Sequence, residues 1–185
     1  MLRALLSGKA GVLKKAVLPG TPWLDAFRGN EDVLTATVFE RLAYLDGPCL
    51  WGVLASVFPS LPTYQVAEVL TIEFWPRWSE LESPGTVIPD VFLQFQVGDP
   101  AVIVSLIVEA KLDDLQYAGQ WKREWDGFRA RPKEYGGQPE TVFLLAIGGH
   151  GASARSTVAR LVAEINAISP NERRFQVCAE NVWPS

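Results

Sequence analysis

Residues Val87 to Leu112 read VIPDVFLQFQVGDPAVIVSLIVEAKL. Two apolar segments flank a turn at Gly98-Asp99-Pro100, which is the pattern of a β-hairpin. Apart from the turn aspartate, its only charged side chains are Asp90, Glu109 and Lys111. Ionisable groups on a hydrophobic hairpin are costly to bury, so their register matters. If Gly98 to Ala101 form the loop, Val97 pairs with Val102 and Asp90 falls opposite Glu109. Side chains alternate faces with a period of two, so Glu109 and Lys111 share a face. Any even loop length adds Asp90 to that face, with directly opposed Cβ atoms about 5 Å apart. Two carboxylates and one amine then meet at one end of a sheet. Close carboxylates repel unless a cation lies between them, and an incomplete set of hard oxygen ligands suits Mg2+ or Mn2+ completed by water and phosphate oxygens.

Pro89-Asp90, a strand, and then Glu109-Ala110-Lys111 resemble the signature of the PD-(D/E)XK nuclease superfamily, which has the restriction-endonuclease-like fold. Pro89-Asp90 is the one Pro-Asp in the chain, and Glu109-Ala110-Lys111 the one D/E-x-K. The resemblance implies metal-dependent phosphodiester hydrolysis, with Asp90 and Glu109 as metal ligands and the Ala110 carbonyl facing the metal. It gives Lys111 the task of orienting or activating the attacking water. A glutamate or glutamine on the first core helix often joins such a site, which implicates Glu31, with Glu40 in reserve. Gln120-Trp121-x-x-Glu124 is similar to the helix that follows the E-x-K strand and adds Gln120. Tyrosine is absent four residues after Gln120, so the glutamine-tyrosine motif of the exonuclease-like branches is not reproduced.

Around the hairpin, the composition is that of an ordinary globular protein: 185 residues, 48% hydrophobic and 21% charged. This predicts one domain over residues 1–185, with a core at about 30–168 and an N-terminal helical extension over 1–29. The net charge of −4 provides no global basic footprint for nucleic acid. Phosphate contact therefore falls to a local basic loop carrying Arg129, Arg131 and Lys133. Cys49 and Cys178 form no metal-ligand cluster, and reduced thiols in the cytoplasm are the default. The first residues are too short and too interrupted to span a membrane and are not arranged as a signal peptide. His150, the single histidine, lies in a glycine loop and reads as structural.

Taken in order, a helix is expected from Asn30 to about Leu45, with Leu34, Val38, Leu42 and Leu45 as its apolar face and Glu31 on the same stripe. Leu50 to Phe58 fits either a helix or a strand. Gln65 to Trp75 alternates as a strand. In EFWPRW, residues 73–78, Trp75, Arg77 and Trp78 suit base stacking, although packing at a strand end is the simpler reading. The nearly continuous apolar run from Ala101 to Leu112 places that strand inside the sheet, with helices on both faces. A helix capped by Asp113 or Asp114 and running to about Ala130, a strand over Thr141–Ile147, a helix over Ser153–Ile168 and a short strand over Phe175–Ala179 follow. The class is α/β, a mixed central sheet flanked by helices, and the order resembles the αβββαβ restriction-endonuclease-like core. The expected activity is Mg2+- or Mn2+-dependent nuclease action on DNA, by a homodimer or within a larger complex. The alternative is a non-catalytic nucleic-acid-binding or assembly module on the same fold.

Overall fold

The computed structural model describes residue 6 and residues 31–79, 85–112, 114–132, 140–151, 153–168 and 176–180, without the side chains of 168 and 178–180. Of the expected N-terminal helical extension over 1–29 only residue 6 is described, and Asn30, the Asp113 cap and Lys133 lie outside the described residues.

Two helices, α1 (Glu31–Leu42) and α2 (Gly47–Val57), precede β1 (Ala67–Phe74). A two-stranded ribbon, β2 (Trp78–Ser79) with β3 (Thr86–Val87), comes before β4 (Val91–Val97) and β5 (Val102–Ala110). Then follow α3 (Ala118–Ala130), β6 (Glu140–Ile147), α4 (Ala154–Ile168) and β7 (Gln176–Glu180). The main sheet is mixed, in the order β1-β4-β5-β6-β7. β1, β4 and β5 form an antiparallel meander, and β6 and β7 continue it in parallel.

The hairpin has the expected register. Val97 pairs with Val102 and Val91 with Val108, so Asp90 stands one position beyond the last pair, opposite Glu109. β5 is the central strand, and its side chains are buried on both faces from Ile103 onward. Val91, Leu93, Phe95 and Val97 of β4 meet Val104, Leu106 and Val108 on one face, beneath Phe39 of α1 and Leu50, Trp51 and Leu54 of α2. On the other face Phe92, Ile107, Leu144 and Ala146 pack against Trp121 of α3 and Leu161 and Ile165 of α4. Helix-covered faces explain why β5 carries a nearly continuous apolar run, interrupted at Ser105, instead of an alternating one.

Several local expectations need correction. The first hairpin strand begins at Val91, because Val87 is drawn into the ribbon with Trp78. Leu50–Phe58 belongs to a helix that starts earlier: the Asp46 carboxylate accepts the Cys49 N–H at 2.9 Å and Pro48 occupies the first turn. α1 ends at Leu42, and its buried positions are Val33, Thr35, Ala36 and Phe39, while Leu45 is exposed. Trp75 and Ile88 cover Val33 and Ala36, so tertiary contact chose between two neighbouring apolar arcs. α3 starts at Ala118 after Tyr117, which makes no side-chain cap, and Asp114 is exposed ahead of it.

Candidate active site

Asp90 is held through its backbone and its side chain. Its N–H donates to Val108 O at 3.1 Å, its carbonyl accepts the Trp75 N–H at 2.9 Å, and Oδ2 accepts the Ala110 N–H at 2.8 Å. Trp75 adopts φ +50°, a left-handed conformation rare for a bulky side chain, at the point where the chain leaves β1 beside Asp90. Strain located next to a buried carboxylate fits a geometry set for function more than for stability.

Glu109, 1% exposed, lies on the same sheet face as Asp90 and forms an ion pair with Lys111 Nζ. Lys111 also reaches Glu31 Oε1 at 3.4 Å. Glu31, at the start of α1, accepts the Leu112 N–H through Oε2 at 2.7 Å, which ties this helix to the end of β5. Asp90, Glu109, Lys111 and Glu31 therefore converge, as the sequence pattern expects.

Two further residues complete the site. Gln116 is buried in the loop between β5 and α3; its Nε2 donates to Glu109 O at 3.2 Å and Gly148 O at 3.4 Å, and its Oε1 accepts Trp121 Nε1–H at 2.8 Å. It links the end of β5, the loop after β6 and the first turn of α3. Its sequence carries no signal for this, since a polar residue in a loop is unremarkable. Gly149 presses on the same place at φ +67°, where an added Cβ would lie 2.7 Å from Lys111 Cβ. The other residue is Glu124 of α3, wholly buried, whose Oε1 accepts from Gln120 Nε2 at 3.1 Å. A signal existed here: Glu124 stands three residues after Trp121 and four before Phe128, inside an apolar stripe.

Four carboxyl groups thus surround one ammonium. Burial, and then the charge of Glu109, pushes the Asp90 carboxyl well above its ordinary range. Burial followed by repulsion from Glu124 does the same to Glu109. Glu124 is pushed up to about 7, chiefly by burial. Burial acts to lower the Lys111 pKa, but the charges of Glu109, Glu31 and Asp90 outweigh it and raise the pKa, keeping the amine cationic. Among the described residues, Glu109 Oε2 and Glu124 Oε2 are buried and accept no hydrogen bond. Glu109 Oε1 also lacks a well-angled hydrogen bond but faces the lysine ammonium, so its charge is not uncompensated. Under-satisfied carboxyl oxygens are the ligand type a hard divalent cation takes, although among the described residues no group of three or more His, Cys, Asp or Glu side chains is arranged to hold a metal ion.

The basic loop is only partly described. Arg131 pairs with Glu73 at 3.3 Å and lies over the Phe92 ring at 4.1 Å and the Trp78 ring at 5.1 Å, so its guanidinium is engaged within the protein. Arg129 is exposed at the end of α3. Trp75 and Trp78 are buried, as packing at a strand end requires, and only Arg77 of that group is exposed. His150 is buried with Nε2 3.0 Å from Ala146 O; a carbonyl can only accept, so Nε2 carries the proton in a structural bond.

No family model and no solved structure matches the chain. It is similar to a Pasteurella multocida (strain Pm70) protein described as uncharacterized protein PM0110, with 31% identity over 172 residues. The similarity covers 91% of this chain and 60% of that protein, so the chain spans only part of its relative's length. No described helix is long and apolar enough to cross a membrane.

Proposed function

We propose that this chain is a divalent-cation-dependent nuclease of the PD-(D/E)XK type that hydrolyses DNA phosphodiester bonds in the cytoplasm. One observation carries the reading: buried Asp90 and Glu109 share a sheet face with Lys111, where Glu109 and Glu31 both pair with the lysine. The element order α1-β1-β4-β5-α3-β6, with α2 and the ribbon as additions, supports a restriction-endonuclease-like core.

In this reading Asp90, Glu109 and the Ala110 carbonyl hold Mg2+ or Mn2+. When bound, the cation supplies positive charge to the scissile phosphate and lowers the pKa of a nearby water. Lys111 orients that water and offsets charge developing on the phosphoryl oxygens. Glu31 fixes the lysine through its ion pair and its bond to Leu112 N–H. Gln120, which holds Glu124, borders the substrate approach. Arg129 and Lys133 make the phosphate contacts, and Arg131 serves chiefly to brace the aromatic cluster.

The test is incubation of supercoiled plasmid, linear duplex, single-stranded DNA and RNA with the protein and Mg2+ or Mn2+. Cleavage should vanish with chelator, with Lys111→Ala and with Asp90→Asn, which keeps an acceptor for the Ala110 N–H. The engagement of Arg131 within the protein and the net charge of −4 favour a second reading, a non-catalytic assembly module. Metal-dependent cleavage that survives both substitutions would refute the site. No cleavage by the folded, cation-loaded protein would favour the module.

A further inference from the structure

Resting on the nuclease reading, the strongest remaining feature is the loop from β5 to α3, which presents apolar side chains to solvent beside the buried carboxyl groups. Gln116 is buried, yet Leu115 and Tyr117 on either side of it are 66% and 48% exposed. Anchoring of the glutamine causes the alternation. Its backbone N–H donates to Gly149 O at 3.0 Å, and its side chain holds Glu109 O, Gly148 O and Trp121 Nε1–H. Tyr117 is extended, at φ −139° and ψ 146°, so with Gln116 turned inward its ring is turned outward. Single apolar side chains on a surface are ordinary, but this ring is also fixed in place. Its hydroxyl accepts from Arg123 Nη2 at 3.1 Å, and it lies against the first turn of α3, where a Cβ added to Gly119 would stand 3.4 Å from Cε2. A ring already held in one position loses little freedom when a ligand covers it. Arg123 is exposed, so it brings a cation to the end of α3 nearest Glu109.

We infer that Tyr117, flanked by Leu115 and Arg123, is a stacking platform for an unpaired base of the strand to be cut, which makes single-stranded DNA the substrate class. A base inside an intact duplex is stacked on its neighbours and offers only its edges, so the platform discriminates against duplex. Charge points the same way. An acidic chain whose Arg131 is engaged within the protein is poorly equipped to grip a duplex by its phosphates, whereas base–aromatic stacking supplies affinity without neutralising a phosphate.

The experiment measures binding of fluorescein-labelled oligonucleotides to the full chain by anisotropy in Ca2+, with thermal melting of the same samples and Mg2+-dependent cleavage in parallel. The wild type should bind a thymine single strand about tenfold more tightly than a blunt duplex of equal length, and about tenfold more tightly than the same strand with abasic sites in place of its bases. Tyr117→Ala should lose that advantage at an unchanged melting temperature. Tyr117→Phe should keep it, because the ring survives. Equal wild-type affinity for the normal and abasic strands would overturn the inference without recourse to any variant. So would wild-type affinity in Tyr117→Ala, or equal losses in Tyr117→Ala and Tyr117→Phe. Cleavage abolished by Lys111→Ala alongside any of those results would leave the nuclease site standing. Base-dependent binding carried by Tyr117 in a protein that cleaves nothing would keep the platform and overturn the nuclease reading instead.

Discussion

Lys111 is held between Glu109 and Glu31 by opposite charges in a partly buried setting. Breaking a buried pair from one side leaves the partner's charge uncompensated, at a cost of about 3 kcal/mol. Lys111→Ala should therefore lower stability, and by more at pH 8 than at pH 5, because Glu109 escapes the penalty once protonated. Urea titrations at the two pH values check this. The wild type has a related pH dependence. Glu124 titrates near 7 when folded, above its ordinary value of 4.5, so between those values the folded state binds a proton that the unfolded state has lost. Stability is then fully present below about pH 4.5 and falls as pH rises through 7; Asp90 and Glu109, also raised, act in the same direction. In chelator the melting temperature should drop between pH 5 and pH 8, and Glu124→Gln should flatten that slope. An unchanged slope in the variant would mean that other groups dominate.

At the scale of elements, α3 depends on a close approach to the β2-β3 ribbon. Gly127 has no room for a methyl group, with Val87 Cγ1 at 2.5 Å and Trp78 Cβ at 3.1 Å from an added Cβ. Gly127→Ala should destabilise by about 1–3 kcal/mol through overpacking. Gly52 lies in α2 with nothing within 4 Å of an added Cβ, so Gly52→Ala should stabilise by about 0.5–1 kcal/mol through helix propensity. Chemical denaturation of the pair separates packing from propensity, and destabilisation of similar size at both sites would contradict this account. Elements were legible where one local pattern dominated: the Gly98–Ala101 turn, the apolar β5, and the Pro-flanked strand β1. Boundaries shifted where a partner intervened, as when Trp78 captured Val87 and when Trp75 and Ile88 selected the Val33–Ala36 arc of α1.

For the whole molecule, net charge and the charge of the site act together. Under the proposed nuclease reading, a chain at −4 with four clustered carboxyl groups would repel a polyanion until a divalent cation offset their charge. Duplex DNA binding by the Asp90-intact, Lys111→Ala protein should be weak in chelator and rise on adding Ca2+ or Mg2+, as read by fluorescence anisotropy. Equal affinity with and without divalent cation would place the nucleic-acid surface elsewhere.

The sequence by itself determined the α/β class, the hairpin register and the meeting of Asp90, Glu109 and Lys111, because a two-residue period and one turn length fix which side chains share a face. It also carried Glu31, as an acid at a helix start beside an apolar stripe. Only the tertiary structure determined that Glu124 of α3 is buried close enough to Glu109 to repel it, that Gln116 joins three segments, and that Arg131 is taken up by Glu73 and two aromatic rings. Those relations join residues on separately formed elements, and helical or strand periodicity says which face a residue occupies but not which element will cover it.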